Sequence, residues 1–213
     1  HYFYTEERTT VGTEIAAEEI KFTDILTVLS KNRPFVALCL HGICNCTMQY
    51  GSITLGMYMY SAVYHDVTYQ SISSILSAPF MVGAMVAVPF LCKKYDLQKL
   101  IRISLLIGGA VCGALFVMHM VMDVNPLIHG VLLGIGTGMS MVSVQMQWGL
   151  VGEAIDYNEY ITGKRTEGSI YGTFNLSRRI GQTIGQGFAL YALGWIGYRG
   201  TADVQTAGTI LGL

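Results

Sequence analysis

The chain has 213 residues with 13 Lys+Arg and 14 Asp+Glu, so 13% are charged, half the ~25% usual in soluble domains. Hydrophobic residues make up 52%, mean hydropathy is +0.45, and 25 residues are Gly. Too little charge is present to cover a soluble surface, and a net charge of −1 excludes an electrostatic nucleic-acid binder.

In chain order, residues 1–33 carry a Glu-rich start (Glu6, Glu7, Glu14, Glu18, Glu19) that reads as a solvated linker. From Ile20 the pattern Ile20, Ile25, Leu26, Leu29 with Lys21, Asp24 and Lys31 predicts a short amphipathic helix on a membrane surface. Five charge-free runs follow: 34–65, 67–92, 103–122, 124–152 and 180–198. A helix needs about 20 apolar residues to cross ~30 Å of hydrocarbon. The expected fold is therefore an all-α membrane protein, with spans near 34–62, 70–92, 101–122, 126–153 and 168–197. A sixth span starts near 206 and is incomplete at Leu213, and the first residue is His1, so the chain reads as part of a longer protein. Core helices of a large soluble protein would also be apolar, but five such runs in series, separated by compact charged clusters, argue against that.

Lys and Arg alternate between ends. The N-terminal segment (Arg8, Lys21, Lys31, Arg33), the second inter-span loop (Lys93, Lys94, Lys99, Arg102) and the fourth (Lys164, Arg165) hold ten, and the opposite loops hold only Arg199. The positive-inside rule then makes the N-terminal segment cytoplasmic.

Within the spans, Pro79 and Pro89 predict kinks in the second. Gly130, Gly134 and Gly138, with Gly109–Gly113 and Gly181–Gly185, repeat the small-xxx-small spacing that lets backbones approach in lipid. Cys39, His41, Cys44 and Cys46 resemble a metal set, but at 100° per residue His41 and Cys44 point away from the face of the other two, so no metal site is expected.

The fifth span carries the strongest functional signal. Tyr171, Asn175, Gln182 and Gln186 fall within 60° of one another, flanked by Arg178 and Arg179. Arg178 lies about 15 Å along the helix from Gly168, near mid-bilayer. A guanidinium there faces protein or a water-filled path. Weaker stripes combine Ser140, Ser143, Gln147 and Trp148 in the fourth span, and Cys46, Gln49, Tyr50 and Met57 in the first. Amides read hydroxyls and rings stack on pyranose faces, so these stripes suit a sugar.

The segment Asp156-Tyr-Asn-Glu-Tyr-Ile-Thr-Gly-Lys-Arg-Thr-Glu-Gly168 resembles the cytoplasmic signature of the glycoside–pentoside–hexuronide:cation symporters, a branch of the major facilitator superfamily that includes the melibiose permease. It matches at Asp156, Tyr157, Glu159, Thr162, Gly163, Arg165, Glu167 and Gly168 and departs at Asn158, where Gly is usual. Asn at that place is expected to alter local turn geometry, since it tolerates the left-handed region. Lys31-Asn-Arg-Pro-Phe35 and Leu193-Gly-Trp-Ile-Gly-Tyr198 extend the resemblance over essentially the whole chain.

The resemblance implies the C-terminal half of a twelve-helix carrier of a sugar or glycoside. It implies no cofactor, a coupling cation (Na⁺ or H⁺) bound mainly by an N-terminal half, and a bacterial-type inner membrane. It places Arg179 where the family has a Lys or Arg. Glu153, Asp156 and Glu159 share one helical side and, with the Lys and Arg of the same water layer, could form a gate. Rival readings are a major-facilitator carrier of a non-sugar solute and a Mg²⁺-dependent membrane enzyme using those three carboxylates.

Overall fold

The computed structural model describes residues 31–163 and 166–199. The expected surface helix before Lys31, the incomplete stretch from 206, and Lys164 and Arg165 lie outside the described residues. Five helices run α1 Arg33–Ala62, α2 Thr68–Cys92, α3 Leu97–Val121, α4 Pro126–Thr162 and α5 Glu167–Trp195, with no strand among the described residues. Connections of only four or five residues force consecutive helices to run antiparallel.

Two of the starts share one device. Asn32 caps α1, its Oδ1 accepting from Phe35 N at 3.0 Å with Pro34 in the first turn. Asn125 caps α4 by accepting from Leu127 N at 2.9 Å, followed directly by Pro126. An amide oxygen satisfies an orphan N–H, and proline removes another where none is needed. At α2, Asp66 accepts from Thr68 N at 2.8 Å. Hydrogen bonds from the Thr68 hydroxyl and amide hold the Asp66 carboxyl below the usual carboxylate range.

Helix α4 is 37 residues long, about 55 Å at 1.5 Å per residue, well beyond a ~30 Å core. It therefore overruns the expected span by a further nine residues, from 153 to Thr162. The signature read as a loop is largely helical: Asp156 to Thr162 belong to α4, and Glu167 and Gly168 begin α5. Gly163 ends α4 with φ 69°, donating its N–H to Glu159 O at 2.8 Å. That left-handed position explains the glycine of the motif.

Among the described residues three helices, α2, α3 and α4, are long and apolar enough to cross a membrane. Helices α1 and α5 have 30 and 29 residues, long enough by geometry, yet carry more polar side chains. Helix α2 continues through Pro79 and Pro89 as one element.

Glycine contacts organise the packing. Helix α5 lies on α1, where a Cβ on Gly181 would strike Ile43 O and one on Gly185 would strike Thr47 O. Thr47 Oγ1 donates to Gly181 O at 3.1 Å across the same seam. Helix α4 presents Gly130, Gly134 and Gly138 to Ser73, Ser77 and Phe80 of α2. Between them Gly136 turns to α3: a Cβ there would lie 2.7 Å from Cys112 Sγ, and one on Gly108 would lie 3.1 Å from Gly136 O. Such contacts replace the hydrophobic drive that lipid cannot supply. The Gly109–Gly113 pair packs on nothing, with no atom within 4 Å of either Cβ position; Gly108 makes the contact. The correction is a shift of one residue, which rotates the face by 100°.

Phe35, Leu38, Cys39, Val151, Ala154, Ile155, Ile170 and Phe174 form the core where α1, α4 and α5 meet. Ala84, Val88, Leu100, Val142 and Met146 form a second one between α2, α3 and α4. Asn32, wholly buried, ties the first core down by donating from Nδ2 to Ala154 O at 3.0 Å. At the opposite end Tyr60 donates to Ser73 Oγ at 2.7 Å, and His119 Nε2 meets His129 Nδ1 at 3.0 Å. Tyr64 stacks on that group, and burial followed by nearby Tyr60 pushes its hydroxyl up to about 12.

Gly181→Leu and Gly185→Leu are expected to separate α1 from α5 and destabilise the protein by about 1–3 kcal/mol each, the usual result of overpacking. Gly113→Ala, placed in open space, should be neutral or gain about 0.5–1 kcal/mol of helix propensity. Thermal midpoints of the purified variants in one detergent check both.

Candidate functional site

Helix α5 divides into three faces. Thr173, Phe174, Ser177, Gly181 and Gly185 are buried against α1 and α4. Leu176, Ile180 and Ile184 form an exposed apolar face. Between these two faces lie Tyr171, Asn175, Arg179 and Gln182, exposed or half-buried. The polar stripe is thus open, on the side of α5 that the described bundle leaves uncovered.

The stripe is knit along its own helix. Arg179 Nη1 donates to Gln182 Oε1 at 3.0 Å, and Asn175 Nδ2 donates to Tyr171 O at 3.0 Å. The adjacent arginine behaves differently. Arg178 turns back into the bundle and lies over the Trp148 ring, 5.3 Å from Cζ to centroid. Trp148 meets Phe174 edge-on at 5.4 Å. Gly42 of α1 leaves room for both, its Cβ position 3.2 Å from Phe174 and 3.5 Å from Arg178 Cγ. One arginine therefore staples α4 to α5 and the other faces out, a distinction invisible on a helical wheel, where both flank the stripe.

Helix α4 contributes buried polarity. Ser143 is fully buried and lies 3.0 Å from His41 Nε2 of α1. One turn on, Gln147 is 2% exposed and its Nε2 has no partner among the described residues. A buried amide left unpaired is costly, so Gln147 calls for a water or a ligand group. The four-residue Ser143-to-Gln147 spacing was legible; the His41 contact was not, because it joins residues 102 apart.

In α1, Gln49 and Tyr50 are half-buried, Cys46 is packed against Gly181, and Met57 is 58% exposed. These residues share an angular face but not an environment. Cys39, Cys44 and Cys46 are free thiols, and His41 is bonded to Ser143.

At the signature, Glu153, Asp156 and Tyr157 of α4 are exposed, Glu159 and Thr162 half-buried, and Glu167 and Gly168 exposed at the start of α5. Among the described residues no group of three or more His, Cys, Asp or Glu is arranged to hold a metal ion. Asn158 corrects the expectation of an altered turn. It is helical and 1% exposed, and its Nδ2 donates to Thr166 Oγ1 at 3.0 Å across the turn. Glycine there would lose that bond.

A family model described as MFS/sugar transport protein matches residues 1–213. The chain is 28% identical over 198 residues to a glucuronide carrier protein homolog of Escherichia coli (strain K12), covering 88% of this chain and 40% of that protein. It is 25% identical over 202 residues to the uncharacterized symporter YjmB of Bacillus subtilis (strain 168), covering 94% and 42%. It is 22% identical over 187 residues to a putative sulfoquinovose importer of Salmonella typhimurium (strain LT2), covering 86% and 38%. The chain spans about two fifths of the length of these curated relatives.

The Arg178–Trp148 contact is open to a double-mutant cycle on unfolding. Arg178→Gln, Trp148→Leu and their combination should give a coupling of about 0.5–2 kcal/mol, as expected for a partly desolvated cation–π pair. Arg179→Gln combined with Trp148→Leu should be additive.

Proposed function

The chain belongs to the MFS/sugar transport protein family, and from that we propose that it is the C-terminal six-helix part of a carrier. The carrier moves a sugar or glycoside by alternating access, coupled to Na⁺ or H⁺. The three-sided α5 is the observation that carries this reading. An Arg and amides beside a lipid-compatible apolar face require water or more protein on the polar side, and relatives more than twice as long have the chain to supply it. On this reading α1 and α5 also span, as the less apolar pair next to the path, with the more apolar α2 and α3 on the lipid side.

Asn175, Gln182, Gln147 and Gln49 would then bond sugar hydroxyls, with Tyr50 and Tyr171 as stacking surfaces. Arg179 supplies the positive charge in the path. Glucuronides and sulfoquinovose, named in two of the relatives, are anionic sugars, and a guanidinium fork pairs well with a carboxylate or sulfonate. A carboxylate from the rest of the carrier is the alternative partner. Arg178, held on Trp148, keeps α4 and α5 together as the halves rock.

The ten-to-one Lys and Arg asymmetry supports a cytoplasmic signature and N-terminal segment, in a membrane of the bacterial inner type on this reading. There Glu153, Asp156, Tyr157, Glu159, Thr162, Gly163, Arg165, Glu167 and Gly168 serve as the inner gate. A network of surface charges that forms in one conformation only can bias a rocking equilibrium although each pair is weak.

Uptake by the full-length protein in inverted and right-side-out vesicles tests the reading. Removing one partner of a buried charge pair costs about 3–5 kcal/mol, so Arg179→Ala should lower uptake at least about 100-fold while the protein still inserts. Arg179→Lys should retain part of the rate, and dissipating the ion gradient should abolish accumulation. Normal uptake by Arg179→Ala would remove this residue from the path.

A further inference from the structure

A second concavity lies away from the polar stripe. Helices α2 and α3 both pack on α4 and scarcely touch each other, leaving a groove of about 620 Å³. Its walls include Pro79, Ala87 and Leu91 of α2 and Leu100 and Ile103 of α3, with Tyr95 at one end. The polar groups of this lining point to no sugar. Ser104 Oγ is already used, donating to Ile101 O at 3.0 Å, and the Tyr95 ring sits at the mouth. From Leu91 to Pro79 the groove follows twelve residues of helix, about 18 Å, against the ~15 Å depth of one leaflet.

The connection that carries Tyr95 is basic. Lys93, Lys94, Lys99 and Arg102 are all exposed on it or on the first turns of α3, with Asp96 as its acid. None of the four is ion-paired to a described residue. Lys94 Nζ lies 5.6 Å over the Tyr95 ring, which places one cation on the groove's rim. Helix α3 also begins at this point, and Asp96 makes no side-chain cap bond to it, so first-turn N–H groups are available to an anion.

An apolar slot one leaflet deep that opens into a cluster of cations matches a single chemistry. We infer that the α2–α3 groove is a binding site for an anionic diacyl phospholipid, with an acyl chain along Ala87 and Ile103 and the phosphate beside Tyr95, near Lys94 and Lys99, in the field of the whole basic connection. Charge complementarity at the mouth selects an anionic headgroup over a zwitterionic one. The acyl slot selects a lipid over a free phosphate. The bound lipid would fill the gap between helices that hardly touch one another and brace α3 against α4.

Native mass spectrometry of the full-length protein released from nanodiscs of equal phosphatidylglycerol and phosphatidylcholine tests this. Wild type should retain one phosphatidylglycerol in at least about fivefold excess over phosphatidylcholine, the preference expected of even one cation near a headgroup. Lys94→Gln with Lys99→Gln and Arg102→Gln, all at exposed positions, should bring the ratio to about one. Ala87→Phe, which fills the slot, should reduce retention of both lipids. Inorganic phosphate should not displace the bound lipid. Equal retention of the two lipids by wild type, or an unchanged ratio in the triple variant, would overturn the assignment. Displacement by phosphate alone would do so as well.

Discussion

Hydrocarbon offers no partner to a guanidinium or an amide, and on the proposed reading the fold keeps such groups of α5 out of it. Two arginines and several amides occupy a helix whose opposite side is exposed and apolar. One arginine is absorbed by the bundle through Trp148 and the other stays on the open side. A helix with these three faces suits a place where lipid, protein and an aqueous or proteinaceous path meet, as the proposed reading has it.

That placement depends on how closely the helices approach. Gly181 and Gly185 bring α5 onto the backbone of α1, while the alternating glycines of α4 serve α2 on one side and α3 on the other. Helix α4 is consequently the common support, and the α1–α5 pair meets the α2–α3 pair chiefly through it. Each end is then fastened by polar contacts. Asn32 to Ala154 O and Asn158 to Thr166 hold the signature end; Tyr60, Ser73, His119 and His129 hold the other. On the proposed reading, alternating access needs both ends to be orderly but separable, and hydrogen bonds between side chains suit that better than a continuous apolar seam.

Much of this was legible in the residues. Runs without charge located the five described helices, though not the charged ends of α4 and α5, and the four-residue glycine rows of α4 and α5 were identified as seams. The errors have local causes. Gly109–Gly113 has the right spacing, but the neighbouring Gly108 faces α4, and spacing alone carries no azimuth. Asn158 replaces a residue associated with turns, yet its environment is set by Thr166, beyond the turn. The helical wheel left Arg178 and Arg179 equivalent and the resemblance favoured Arg179; that Arg178 turns inward depends on Trp148, thirty residues away in sequence. Contacts such as His41 to Ser143 have no periodic signature at all, since they depend on how two helices are rotated against each other.

Cysteine accessibility along α5 in native membranes is the most direct test of the three-sided helix. Single cysteines at 171, 175, 182 and 186 should react with a hydrophilic, impermeant maleimide from one side of the membrane, and substrate should slow the reaction. Cysteines at 176, 180 and 184 should be labelled only by an apolar reagent. Uniform labelling around the helix, or hydrophilic labelling confined to 176, 180 and 184, would contradict a polar path along this face.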